Sequence, residues 1–101
     1  MLAIGAVGAI SVVAHVAAAE YAAMIAAVDA GNLARAQEID RGMVPVVRAM
    51  MMVTQGAIMA KAGLELLGVH DNRAVRLPLV EATDDEVALL HTTLAEVGLV
   101  P

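Results

Sequence analysis

From Met1 to Ala19 no side chain carries a formal charge, and this run bounds what the chain can become. A stretch so long and apolar invites three readings: a membrane span, a secretory leader, or buried structure. The first two fit poorly. No Lys or Arg precedes the apolar residues, so the basic head of a leader is missing. Gly5, Gly8, Ser11 and His15 interrupt the run, and alanine contributes little to membrane insertion. The third reading fits better. "GAISVV", Gly8 to Val13, is short, continuously apolar and partly β-branched, the pattern of a parallel strand covered on both faces. The alanine-rich stretch after it, Ala17 to Ala30, holds no helix breaker. It ends at Gly31, which can take a left-handed cap, and Asn32 can cap the next helix. Strand and helix make one βα unit, and a lone buried strand needs neighbours from elsewhere.

Composition extends the argument. The chain is 60% hydrophobic yet has one aromatic residue, Tyr21, and its formal net charge is −5 over 101 residues. It is too apolar for disorder, and it carries more apolar surface than a lone small domain can hide. An oligomer, a membrane or a larger whole would cover the excess. The acidic balance argues against nucleic acid, which needs a basic face or an aromatic stacking platform. With no cysteine there is neither a disulfide framework nor a thiolate site.

Further along, Leu33 to about Val53 reads as a long helix. Ala36, Ile39, Met43, Val47 and Met50 form an apolar stripe opposite Arg35, Glu38 and Arg41. Pro45 lies inside it and predicts a kink or two helices. Ala57 to Leu67 is a third helix, with Lys61 and Glu65 one turn apart as a solvated ion pair and Gly68 as its stop. A loop follows, in which Pro78 favours an extended Leu77. Thr83-Asp84-Asp85-Glu86 is a capping box opening the last helix, whose buried face is Val87, Leu90, Leu94 and Val97. The expectation is a mostly α chain: one short buried strand and four helices. The opening "MLAI" lacks a capping residue, as though it continued a preceding helix.

Chemistry is sparse. His15, His70 and His91 share no ligand spacing, so no metal site is expected. His15 follows the C-terminal end of the expected strand, where barrel enzymes place their sites. The simpler reading is a polar residue satisfied at a helix start. Asp84, Asp85 and Glu86 suit the positive end of a helix better than acid–base work. Lys61 is the only lysine and therefore the only side chain that could form a Schiff base. The glycines of "GAVGAIS" lack the third glycine of a dinucleotide fingerprint and the Lys-Ser/Thr of a P-loop. Met50, Met51 and Met52 suit an adaptable buried contact.

"GAVGAISVVAHVAAAEYAAMIAAVDAGNLARAQEIDRGMVPVV" resembles the C-terminal third of the dihydrodipicolinate synthase family. The shared pattern is a Gly-x-x-Gly-x-Ile-Ser-Val strand, an alanine-rich helix and a glycine turn opening an "A-R-A-x-x-I" helix. "AIMAKAGLELLG", "RLPLVEATDDE" and the final "AEVGLV" resemble the family's later segments in order. "VTQGAIMAKAG" departs from the Glu-Pro-Asn-Pro common at that junction and is similar to the actinobacterial branch.

The resemblance implies the last βα unit and C-terminal helical extension of a TIM (β/α)8 barrel. Residues 1–31 would be the end of helix seven, strand eight and helix eight, and residues 32–101 the helical extension. The family is a lyase that condenses pyruvate with aspartate semialdehyde through a lysine Schiff base, in lysine and diaminopimelate biosynthesis. A cytoplasmic homotetramer without cofactor or metal is implied for the complete enzyme. Ile10 matches the family isoleucine that contacts pyruvate, and Ile4 falls near the weaker subunit contact. No catalytic residue carries over, because neither Lys61 nor Tyr21 matches the family's lysine or relay tyrosines. The chain's implied partner is the remainder of the barrel, and alone it is expected to be inactive. Two alternatives stay open: another pyruvate lyase, such as a neuraminate lyase or sugar-acid aldolase, or a free-standing helical interaction protein.

Overall fold

A computed structural model describes residues 1–101, the side chain of Ala3 excepted. A 3-10 turn at Leu2–Ile4 precedes four helices: α1 (Ala14–Asp29), α2 (Leu33–Met51), α3 (Gly56–Leu66) and α4 (Asp84–Glu96).

Each helix boundary has a local cause. Gly31, at φ 72°, closes α1, and the Asn32 side chain accepts the Arg35 backbone N–H to open α2. Gln55 accepts the Ala57 N–H at the start of α3, and Gly68, at φ 70°, turns the chain out of its end. The expected capping box opens α4. The Thr83 N–H donates to Glu86 Oε2 at 2.8 Å, and the Glu86 N–H donates to Thr83 Oγ1 at 3.3 Å.

One apolar core joins the helices. Met50 and Val46 of α2, Met59 of α3, and Leu90 and Leu94 of α4 are fully buried, and Val16 and Ala17 of α1 close the cluster. Of the stripes expected on α2 and α4, Met43, Met50, Leu90 and Leu94 are in it, while Ile39, Val47, Val87 and Val97 pack half-buried at its edge and Val46 and Ala49 join it from α2. α2 and α3 are bent by 111° to one another, which folds the methionine-rich end of α2 onto α3. No single helix is long and apolar enough to cross a membrane among the described residues.

Two sequence expectations, the strand and a division of α2 at Pro45, are corrected, and the alanine-rich helix expected over Ala17 to Ala30 is present. Gly8–Val13 is not a buried strand: residues 6–11 adopt no regular secondary structure, and Val7 and Ile10 are fully exposed. A strand pairs its N–H and C=O groups with a neighbour, and no strand exists among the described residues to provide one. The alanine helix starts in regular geometry only after Ala17, whose φ −134° and ψ 39° interrupt the turn begun at Ala14. Pro45 lies within a single helix, α2, and does not divide it into two. Pro45 and Arg41 both face solvent, so water can satisfy the Arg41 carbonyl left without its N–H partner, while Met43, Val46 and Met50 hold the inner face.

Of the chain's glycines, Gly63 stands closest to a neighbouring helix: an added Cβ would lie 2.4 Å from Val16 Cγ1. Gly63→Ala should therefore lower stability by about 1–3 kcal/mol despite its better helix propensity. Urea unfolding followed by circular dichroism measures this, and an unchanged midpoint would mean that α1 and α3 do not meet so closely. Thr83→Ala should cost about 1 kcal/mol in the same assay through loss of the cap.

Candidate functional site

The feature that departs furthest from a finished fold is the segment before α1. Among the described residues, no backbone N–H from Val7 to Ser11 donates a hydrogen bond within the chain, and no carbonyl there accepts one. Val7 and Ile10 are fully exposed, and Ile4 and Met1 are nearly so. The segment stands off α1 and α2, leaving a cleft of about 350 Å³ lined by Leu2, Gly8, Ala9, Tyr21, Met24 and Leu33. The sole aromatic ring is thus half-buried in the wall of this cleft. Burial resumes at Val13, where the backbone turns into α1.

Ile10 and Ile4 therefore both lie on this segment with their side chains in solvent. His15 comes next, at the segment's C-terminal end. Its Nδ1 donates to the Val12 carbonyl at 2.8 Å, so the imidazole is satisfied by the helix-start turn as the simpler reading expected. His70 and His91 are exposed on other elements. No group of three or more His, Asp or Glu side chains converges as a metal site among the described residues.

Lys61 is half-buried on α3, but its expected ion pair with Glu65 is not formed. Glu65 lies instead 3.6 Å from Arg73, a residue to which the sequence assigned no role. Arg73 ties three pieces together. Its Nε donates to the Ala82 carbonyl at 2.9 Å, one terminal nitrogen pairs with Asp84, and the other faces Glu65. The loop from Gly68 to Thr83 is thereby clasped to both α3 and α4. The hydrogen bond Arg73 donates to Asp84, aided by the surrounding carboxylates, raises the Arg73 pKa above its ordinary value. The cation persists below that ordinary value and would be lost only as pH rose past the elevated one, beyond any working range. An arginine in a loop that joins Glu65 of α3 to the acidic start of α4 was the only signal available, and the sequence offered Arg76 equally.

Among the described residues the arrangement is a structural clasp and a bare irregular segment, with no convergent set of catalytic groups. Arg73→Met should speed amide exchange across residues 72–83 about tenfold. Unchanged exchange there would show that the clasp does not order the loop.

The sequence profile of the Dihydrodipicolinate synthetase family matches residues 1–97. The 4-hydroxy-tetrahydrodipicolinate synthase of Kineococcus radiotolerans is 55% identical over all 101 residues, which cover 33% of that protein. The synthase of the same name from Bifidobacterium animalis subsp. lactis is 39% identical over 99% of this chain and 33% of its own length. A solved structure of a monomeric dihydrodipicolinate synthase variant superposes with a TM-score of 0.88 at 36% identity, covering 98% of this chain and 32% of that one. The chain spans about a third of the length of the relatives it matches.

Proposed function

The chain belongs to the dihydrodipicolinate synthetase family, and from that premise we propose that it is the closing third of a dihydrodipicolinate synthase barrel. Residues 1–31 would supply the end of helix seven, strand eight and helix eight, and residues 32–101 the C-terminal helical extension. The observation that carries this reading is the segment Val7–Ser11. It is apolar and unpaired along its whole backbone, and it feeds directly into a helix, as a parallel barrel strand does. The superposition on a dihydrodipicolinate synthase variant over 98% of the chain supports the same assignment.

The complete enzyme would condense pyruvate with aspartate semialdehyde to 4-hydroxy-tetrahydrodipicolinate in the cytoplasm, as a homotetramer, without cofactor or metal. A lysine amine attacks the pyruvate keto carbon and water leaves, giving an imine. Loss of a methyl proton gives the enamine carbon that attacks the aldehyde. Ile10 would face the pyruvate site from the end of strand eight, and Ile4 would lie at a subunit contact. Neither side chain is chemically reactive, so both would shape the site and leave bond-making to residues outside this chain.

This chain by itself would therefore be inactive. Lys61 is held on α3, and no hydrogen bond or ion pair joins it to another polar side chain among the described residues. Incubation with pyruvate and borohydride, followed by intact-mass spectrometry, tests the reading because hydride reduction fixes any imine. The expected result is no adduct on Lys61. An adduct there would move the chemistry into this chain and overturn the assignment.

A further inference from the structure

The sequence reads Met50-Met51-Met52 as an adaptable buried contact, and the structure divides the run. Met50 is fully buried in the core, whereas Met51 and Met52, at the end of α2, are 45% and 75% exposed. We propose that Met51 is a modification site for peroxide-type oxidants, at which oxidation of one sulfur loosens the corner between α2 and α3.

Access comes first. A thioether is oxidised through a sulfur lone pair that the oxidant must reach, and Met43, Met50 and Met59 are buried. Met51 is exposed enough to react and is also packed against something. It is the last residue of α2, and its side chain lies over Gly56, the first residue of α3. A Cβ at Gly56 would stand 3.0 Å from Met51 Sδ, 3.3 Å from Met51 Cε and 3.3 Å from Val12 Cγ1. The thioether thus fills the space that a side chain at Gly56 would take. It joins the end of α2, the start of α3 and the turn that leads into α1. Met52 is more exposed still, but none of its atoms is among those nearest Gly56.

The corner has little else to hold it. Among the described residues, neither Val53 nor Thr54 donates or accepts a backbone hydrogen bond. The Met52 N–H donates back to the Arg48 carbonyl, and Gln55 caps α3 through the Ala57 N–H, so each of these ties stays within one helix end. The path from α2 to α3 therefore depends on the packing of Met51 against Gly56 and Val12.

The reaction is a single oxygen transfer. The O–O bond of the peroxide breaks, an S–O bond forms on Met51 and water leaves. The product is a sulfoxide, bulkier at sulfur and polar where the thioether was apolar. Its oxygen reaches water only if the sulfur turns away from Gly56 and Val12, and the contact is then given up. Met52 reacts without this consequence and serves as an internal control.

The test is stepwise treatment of the chain with hydrogen peroxide, with the oxidised methionines located by peptide mass spectrometry. The expected result is that Met51 and Met52 gain oxygen before Met43, Met50 and Met59. Oxidation of Met51 should speed exchange of the Ala57, Ile58 and Met59 amides about tenfold and lower the urea midpoint. Met52→Leu should respond to peroxide as the unaltered chain does. Met51→Leu, which conserves volume, should keep the untreated midpoint and abolish the response. Methionine sulfoxide reductases of both epimer specificities should restore exchange and midpoint together. If Met51 stays unreacted when Met52 is fully converted, or is oxidised with exchange and midpoint unchanged, the proposal is overturned. An equal loss of stability in peroxide-treated Met51→Leu would also overturn it, by assigning the effect to another methionine.

Discussion

Helix α3 meets α1 at Gly63, where the absence of a side chain admits Val16 into the space a Cβ would fill. Leu90 of α4 reaches the same point, its Cδ2 lying 3.7 Å from that position, so three helices converge on one glycine. The contact matters because the chain has a single aromatic residue and cannot span wide gaps with rings. The backbones approach closely instead, and the remaining space is taken by Met50 and Met59, whose unbranched side chains adapt to irregular cavities. From this junction follow the burial of Leu90 and Leu94 and the bend that returns α3 across the end of α2.

Around that core the polar residues do structural work. Arg73 holds the loop between α3 and α4 by a carbonyl and two carboxylates, one from each helix. Its planar fork allows one side chain to serve three acceptors, which an ammonium could not do in the same geometry. Glu65 is drawn to this clasp and away from Lys61. The acidic start of α4 thus has two roles, complementing the helix dipole through Glu86 and anchoring the loop through Asp84.

Barrel enzymes gather reactive groups from the ends of many strands, so no third of such a barrel is expected to hold a working site. The histidines are separated, the lysine stands apart from other polar side chains, and the two isoleucines expected at functional contacts point into solvent. Among the described residues, the chain does possess an irregular segment without backbone pairing, Val7–Ser11, ahead of the helices.

The helices were legible in the sequence because their determinants are local. The Thr83–Glu86 box spans four consecutive residues, Gly31 and Asn32 act on adjacent turns, and the stripes of α2 and α4 repeat every three or four positions. Resemblance over four ordered segments also made the family legible. The opening segment was read as a buried strand, but a strand needs partners distant in sequence and none lies among the described residues, so it stays irregular and bare. Arg73 was missed because its partner Asp84 lies eleven residues away, and only the path of the loop brings them together. Pro45 was expected to kink α2 or divide it in two, and α2 runs through it as one helix. By itself, then, the sequence determined caps, helix spans and the apolar faces, all set by hydrogen bonds and periodicities within a few residues. The tertiary structure decided which faces met, which carboxylate took which cation and which segment went without a partner, because each of those depends on distant parts of the chain occupying one place.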